Sequence, residues 1–454
     1  MDTNQIDGFG DGSAAELASL RKALSVGYSN PVNGTSGGDA LRVESLESTL
    51  KVVSFGAQHI KLWNDVVKLD AYSTVEEYNR LSSYGSDGGG FVDGGALPED
   101  EDSTYARATE NVKYIGTTRS VQHPATLVRS VPADLIAQET QNGVLWMLSK
   151  VERGMFYGDS SIVPQEWNGV IAQITNGGGT VIDLRGASLS AADVENGADV
   201  VTTNYGVPTK MYANNAVFST FSKTYYGQQR WNTPGAPAGK VGTPVNGMST
   251  QAGDVEFSSD VFLKKGAAPA ASASSAKAPS APTVAVGIPG GANSLFLAAD
   301  AGSYKYQVTA VNQYGESAPT ALSAAAAITP GLQVALTVTD GGGTYPATGY
   351  KFYRTDKAGQ IATCAFQKAV PRTSIAGVYQ STTVFTDDNT YIQGTYTGVM
   401  LDLSAQALAF KQLSPLIKIP LATIAASIRW MQLLYGTPIV FAPKKHIIYR
   451  NIGS

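Results

Sequence analysis

Residues 131–157 read VPADLIAQETQNGVLWMLSKVERGMFY, and their spacing predicts one long helix from which the rest of the chain is hung. Ile136, Val144, Met147, Leu148, Val151 and Met155 recur at steps of three and four, so they share one helical face. Gln138, Gln141, Asn142, Lys150 and Arg153 fill the remainder. Pro132 suits a first turn, where its missing N–H is not needed, and Asp134 suits the positive end of the helix dipole. At roughly 1.5 Å per residue such a helix spans on the order of 40 Å. That length fits a structural spine, but also an ordinary helix of an α+β enzyme, and the flanking sequence has to decide.

Upstream, Lys61–Leu69 and Val75–Leu81 are amphipathic, and Tyr84–Asp102 is rich in glycine and acids. The chain then alternates through Tyr105, Arg107, Thr109, Asn111, Lys113 and Ile115, which predicts a long polar strand with few core residues. A two-stranded arm that buries little against its own chain is marginal in water. It becomes sensible as an extended β-arm lying on another subunit, the alternative being a surface loop. Ahead of it, Ala14–Ser25 and Leu41–Leu50 read as short helices around a Gly/Ser/Asn loop, together a leading arm.

Downstream, Trp167, Val170, Ile171 and Ile174 read as core, and Thr180–Leu184 as a strand. Ser190 is a good N-cap for a helix over Ala191–Thr203, with Ala191, Val194, Ala198 and Val201 inward. Lys210–Tyr212 reads as a strand and Asn214–Tyr225 as a helix burying Val217, Phe218 and Phe221. Residues 264–282, KKGAAPAASASSAKAPSAP, form an Ala/Ser/Pro linker. Short strands follow at Tyr304–Val311, Leu332–Val338, Gly349–Arg354 and Thr382–Phe385, with a turn at Asn312–Gly315, predicting a small β-sandwich. The α/β character then returns through Leu401–Leu413, Leu416–Ile419, Thr437–Phe441 and His446–Asn451. Ser427–Tyr435 would bury Ile428, Trp430 and Leu434 as either helix or strand. The sandwich is therefore an insertion inside one α/β body.

Charged residues make up only 15% of the 454, glycine counts 48, and the net charge is −4. Low charge suits large surfaces buried against partners. Without clustered Lys and Arg, tight, sequence-reading nucleic-acid binding is not expected, although a wall enclosing nucleic acid needs no such cluster. The single Cys364 rules out an internal disulfide framework and a Cys-based zinc site, and fits a reducing cytosol. The start, MDTNQIDGFG, is too acidic and polar for a signal peptide, and no apolar run approaches the roughly 20 residues of a membrane span.

Catalytic patterns fail one by one. His59, His123 and His446 are scattered, outside any HExxH arrangement. GAPAGK at 235–240 is one residue short of a phosphate loop, and Val241 stands where a magnesium-binding hydroxyl belongs. No GxSxG elbow occurs. Glu99–Asp102 lacks calcium-loop spacing and reads as a solvated tip. Asp387–Asn389 reads as a turn, and Cys364 as a buried, inert thiol. The expectation is no catalytic, cofactor-binding or metal-binding residue, and no enzyme.

In its order of parts the chain resembles the major capsid proteins of tailed bacteriophages, the Hong Kong ninety-seven-like fold. The likeness is carried by 131–159 with its YGD ending, EWNGVIAQI (166–174), NYGVPTKMYANNAVFSTFSK (204–223) and YGTPIVFAPKKHIIYRNIG (435–453). It covers roughly 61–265 and 396–454. The resemblance implies an α+β fold with an N-terminal arm at 1–60 and an extension loop region at 61–125. A peripheral domain with the spine helix would follow at 126–185, and the first part of an axial domain at 186–265. A linker at 266–282, an inserted β-sandwich at 283–395 and a C-terminal axial/peripheral part at 396–454 would complete it. Within the insertion, YKYQVTAVNQYGESAPT (304–320) is similar to a late strand and turn of fibronectin type III or immunoglobulin-like modules.

The implied function is self-assembly into hexamers and pentamers of an icosahedral virion shell, built in the host bacterial cytoplasm. Such a shell encloses double-stranded DNA without sequence-specific binding and can meet portal, scaffold and decoration proteins, with no cofactor and no membrane. Inter-subunit contacts are expected from Glu99, Asp100, Glu101, Asp102, Arg107, Lys113, Arg119, Lys150 and Arg153. Some relatives crosslink neighbours through a Lys and an Asn; Lys113 lies in the arm, with nothing local in sequence to activate it. Two other readings compete: a bacterial nanocompartment shell, and a phage surface adhesin with Tyr304, Tyr314, Tyr345 and Tyr353 as a sugar platform.

Overall fold

A computed structural model describes residues 55–85, 94, 100–127, 134–229, 245–422 and 425–453. The leading-arm helices, Pro132 and the GAPAGK stretch lie outside the described residues. The body begins with helix α1 (Leu62–Asp65), then strands β1 (Val67–Asp70), β2 (Val75–Ser83), β3 (Thr104–Asn111) and β4 (Lys113–Gln122). Helices α2 (His123–Leu127), α3 (Leu135–Tyr157) and α4 (Val170–Asn176) follow, then β5 (Thr180–Asp183), α5 (Ala191–Thr203), β6 (Lys210–Ala213) and α6 (Asn215–Gln229). Strands β7 (Gly247–Thr250) and β8 (Gly253–Ser259) lead to the insertion.

Within the insertion run β9 (Thr283–Gly287), β10 (Gly302–Tyr304), β11 (Tyr306–Asn312), β12 (Gly315–Glu316), β13 (Ala326–Ile328) and β14 (Val334–Thr339). They continue with β15 (Gly349–Arg354), β16 (Ala365–Pro371), β17 (Ser374–Ile375), β18 (Val378–Tyr379) and β19 (Thr382–Asp387). The chain returns to the body through β20 (Tyr396–Leu401), β21 (Leu408–Pro420), β22 (Ser427–Val440) and β23 (Ile447–Ile452).

The spine helix is α3. It starts at Leu135 because the Asp134 carboxylate accepts the backbone N–H groups of Ile136 and Ala137, capping the first turn. Met147, Val151 and Met155 are buried as their spacing predicts, joined by Phe156, while Ile136, Val144 and Leu148 are half-buried. Gly143 lets the Gln432 amide lie against the helix: a Cβ there would sit 2.2 Å from Gln432 Oε1. Gln432 Nε2 donates to the Thr140 carbonyl at 2.9 Å, keying helix to sheet.

Two sheets organise the body. One runs β1-β21-β22-β4 and packs on the spine; the other runs β5-β23-β20-β6-β8-β7. The first core joins Met147, Val151 and Phe156 to Leu62, Trp167, Tyr212, Phe410 and Leu434. The second, under the six-stranded sheet, holds Val194, Ala198, Val201, Phe218, Phe221 and Tyr449, much as the helix faces predict. Ser190 caps α5 in a reciprocal box with Asp193. In the insertion, sheets β12-β11-β15-β16 and β19-β14-β9 share a third core around Tyr306, Val308, Leu336, Tyr350 and Phe352.

Three sequence expectations change. The polar strand predicted through 105–115 is two strands: β3 ends at Asn111, Val112 is buried, and β4 joins the body opposite β22 from Lys113 to Gln122. Ile115 packing on the first core pulls β4 into the body. The ambiguous Ser427–Tyr435 is strand, continuous to Val440, because it is paired on both sides. The Ala/Ser/Pro linker is fastened along the insertion: Ser274 and Glu316 exchange hydrogen bonds, and the Ala267 carbonyl accepts the Phe366 N–H at 2.9 Å.

Candidate functional site

The hairpin β2–β3 touches its own body along its length as far as Arg80. Tyr78 packs edge-on against Phe441 at 5.1 Å, and Arg80 Nη2 donates to the Val440 carbonyl at 2.9 Å. Further out, Leu81 and Tyr105 face one another across the hairpin, and Tyr105 and Tyr84 are 68% and 86% exposed. Apolar side chains on a two-stranded ribbon in water are a liability unless something covers them.

A second uncovered apolar surface lies on the sheet face turned away from the spine. Strand alternation sends Trp430, Gln432 and Leu434 inward and Met431, Leu433 and Tyr435 outward. The register places Ile419, Met431 and Thr118 in one row and Ile417, Leu433 and Gly116 in the next. Tyr435 and Tyr114 close the patch, rings edge-on at 5.1 Å. Gly116 is needed there, since a Cβ would meet Leu433 Cδ2 at 2.4 Å.

Of the charged residues picked from sequence, Glu99 lies outside the described residues, and Asp100, Glu101 and Asp102 are exposed on the approach to β3. Arg107 pairs with Glu77 across the hairpin at 3.3 Å, in the open. Lys113 Nζ donates to the Pro164 carbonyl at 2.6 Å, and Arg119 pairs with Glu139 of the spine at 3.5 Å, so both are engaged within their own chain. Lys150 lies over Trp146, with Arg153, Glu166 and Lys351 of the insertion as charged neighbours. Burial and the adjacent Arg153 cation hold its amine below the usual lysine range.

The sequence reading missed a group of buried polar residues. Glu152 falls three and four residues from Met155, Leu148 and Phe156, a charge inside the apolar stripe, and that placement was the available signal. Its carboxylate is wholly buried and accepts the backbone N–H groups of Lys61, Leu62 and Trp63 at 2.8, 2.6 and 2.9 Å. Asp260, equally buried, stands within hydrogen-bonding reach of it. Asp260 Oδ1 accepts the Phe262 N–H, while Oδ2 has no other partner. Burial raises both carboxyls above the ordinary range, Glu152 to about 8.

A second group ties the insertion to the body. Arg185, in the left-handed region at φ 51°, donates to the carbonyls of Asn389 and Leu295, both at 2.8 Å. Asn451, at φ 57°, donates to Asp183 Oδ1 and the Thr390 carbonyl and accepts the Ile392 N–H. Asp387–Asn389, expected to be a simple turn, holds the buried end of this network. The tyrosines proposed as a sugar platform do not gather. Tyr304 and Tyr353 are buried with their hydroxyls bonded to the Asp300 carbonyl and Glu316, while Tyr314 and Tyr345 pack edge-on elsewhere. Cys364 is buried, its thiol pushed up to about 11 by desolvation.

No protein-family model matches the chain. It is 24% identical over 449 residues to a protein of Enterococcus phage phiEF24C, covering 95% of this chain and 94% of that one. It is 23% identical over 450 residues to the major capsid protein of Staphylococcus phage K, again covering 95% and 94%. Among solved structures, the capsid of cyanophage P-SCSP1u is similar with a TM-score of 0.47 and 9% identity, over 92% of this chain and 95% of that one. With the arm, the spine helix and the closing strands in place, this sequence similarity along nearly the full length gives the chain the function of a phage major capsid protein, a structural subunit of the virion shell.

Proposed function

We propose that the subunit builds its shell by laying the outer half of its β2–β3 arm over the uncovered sheet face of a neighbour. The supporting observation is the pair of surfaces just described: an arm tip with exposed Leu81, Tyr84 and Tyr105, and an apolar face of Ile417, Ile419, Met431, Leu433 and Tyr435. Because the two patches differ, the contact is heterologous, and repeating it gives rings where its rotation closes. On this reading the rings are the hexamers and pentamers of an icosahedral shell, assembled in the bacterial cytoplasm around double-stranded DNA, with portal, scaffold and decoration proteins as further partners. Obligate interfaces of this kind run to about 2,000 Å² and more. Asp100–Asp102 and Arg107, carried by the arm, then lie at the rim of that contact and set its register, while Lys150 and Arg153, on the spine side, meet a different neighbour. Residues 283–395 form an immunoglobulin/fibronectin-like β-sandwich carried by the axial body.

The test keeps the hairpin base and replaces residues 82–104 with a two-residue Asn-Gly turn. We expect a folded subunit with an unchanged melting temperature that no longer forms shells, rings or capsomers in electron micrographs. Shell yield equal to that of the unaltered chain would overturn the arm assignment.

A further inference from the structure

Three separate parts of the chain meet at Glu152 and Asp260. The segment entering the body supplies the N–H groups of Lys61, Leu62 and Trp63; the spine helix supplies Glu152; the end of β8, where the chain leaves for the insertion, supplies Asp260. Phe55 packs edge-on against Phe262, two residues from Asp260, so the entering segment is held a second time at the same place. Two buried carboxyls in reach of each other cannot both be charged without strong repulsion. The three N–H donors satisfy a single anion, and Asp260 Oδ2, buried with no other partner, is left to carry the one proton that completes the pair.

We propose that Glu152 and Asp260 form a proton-operated clasp that fastens the entering segment to the spine helix and opens when the pair gives its shared proton to solvent. Closed, the monoanion pins three consecutive amides. Open, a second buried negative charge pushes the carboxyls apart and loosens the hold of Glu152 on its three amides. The sign follows from linkage. The folded pair binds a proton over a range where the unfolded chain has already lost it, so the clasp weakens as pH rises and is firm in mild acid. Other titratable and charged groups face the pair: Lys61 from the entering segment, Lys68 from β1, Tyr157 from the spine end and Tyr212 from β6, with Asp65 behind Lys68 and Tyr212. Tyr212 is bonded to Asp65 at 2.7 Å, and Lys68 donates to the Trp63 carbonyl.

Asp260→Asn is the informative variant. Its amide can donate permanently to Glu152, as the shared proton does, while its oxygen still accepts the Phe262 N–H. Hydrogen exchange of the Lys61–Trp63 amides in the full chain, from about pH 6 to about pH 9, reads the clasp. After division by the intrinsic rate at each pH, we expect the unaltered chain to lose about tenfold or more of its protection with rising pH, and Asp260→Asn to keep it. Parallel profiles would overturn the proposal, since Lys68 and the tyrosines remain in both proteins. A second reading is independent of the variant's folding. Infrared difference spectra of the unaltered chain across the same range should show a protonated carboxyl band disappearing; no such band would also refute the clasp.

Discussion

At the scale of single residues, the insertion turns on one buried cation. Arg354 is essentially sealed from water and donates to Asp387 Oδ2 at 2.8 Å, Asn389 Oδ1 at 2.8 Å and Gln393 Oε1 at 2.6 Å. Phe296 and Tyr304 lie beside its guanidinium plane at 5.5 and 5.0 Å. Asp387 also accepts the Tyr306 hydroxyl at 2.8 Å, so the ion pair sits in a fully bonded setting. Removing one partner of such a pair leaves a bare buried charge, a loss of about 3–5 kcal/mol. Arg354→Leu should therefore lose about that much in denaturant titrations of the full chain, and Arg354→Leu combined with Asp387→Asn should lose less than the single change. Equal losses would mean that packing volume, not charge, sets the cost. None of this was visible beforehand. In sequence, Asp387–Asn389 has turn composition, and nothing local says that the turn folds back over an arginine 33 residues upstream.

The elements were more legible than their joints. The spine helix announces itself through a 3.6-residue period carried over six turns, and Ser190 with Asp193 announces α5. Strand β4 was harder, because a polar alternating strand is equally suited to a free ribbon and to the edge of a sheet, and only pairing with β22 distinguishes them. The spine itself is open to test at Val144, mid-helix and half-buried. Proline there removes the hydrogen bond to the Thr140 carbonyl and clashes with that turn, costing about 3 kcal/mol or more. Val144→Pro should yield no folded subunit by circular dichroism and no shells; undiminished shell yield would remove the spine from its central place.

At the scale of the whole molecule, the two uncovered surfaces should matter to assembly and not to the fold. Leu433→Asp changes a half-exposed position on the outer sheet face, where surface substitutions usually move stability by no more than about 0.5 kcal/mol. We expect the isolated subunit to melt as before while sedimentation shows that large particles are lost. A drop in subunit stability matching the assembly loss would instead place Leu433 in the core. The sequence by itself determined the type of most elements and the low charge of a shell subunit, because helix and strand periods and composition are local properties of the chain. Only the tertiary structure decided where the arm leaves the body, which sheet face stays bare and how the insertion is latched. It alone brought Glu152 to Asp260, since buried charges are tolerated only where distant residues supply their partners, and periodicity carries no record of such meetings. The helix expected over 131–157 is described from Leu135 to Tyr157, and the structure adds that its one wrongly placed charge fastens the segment that enters the body.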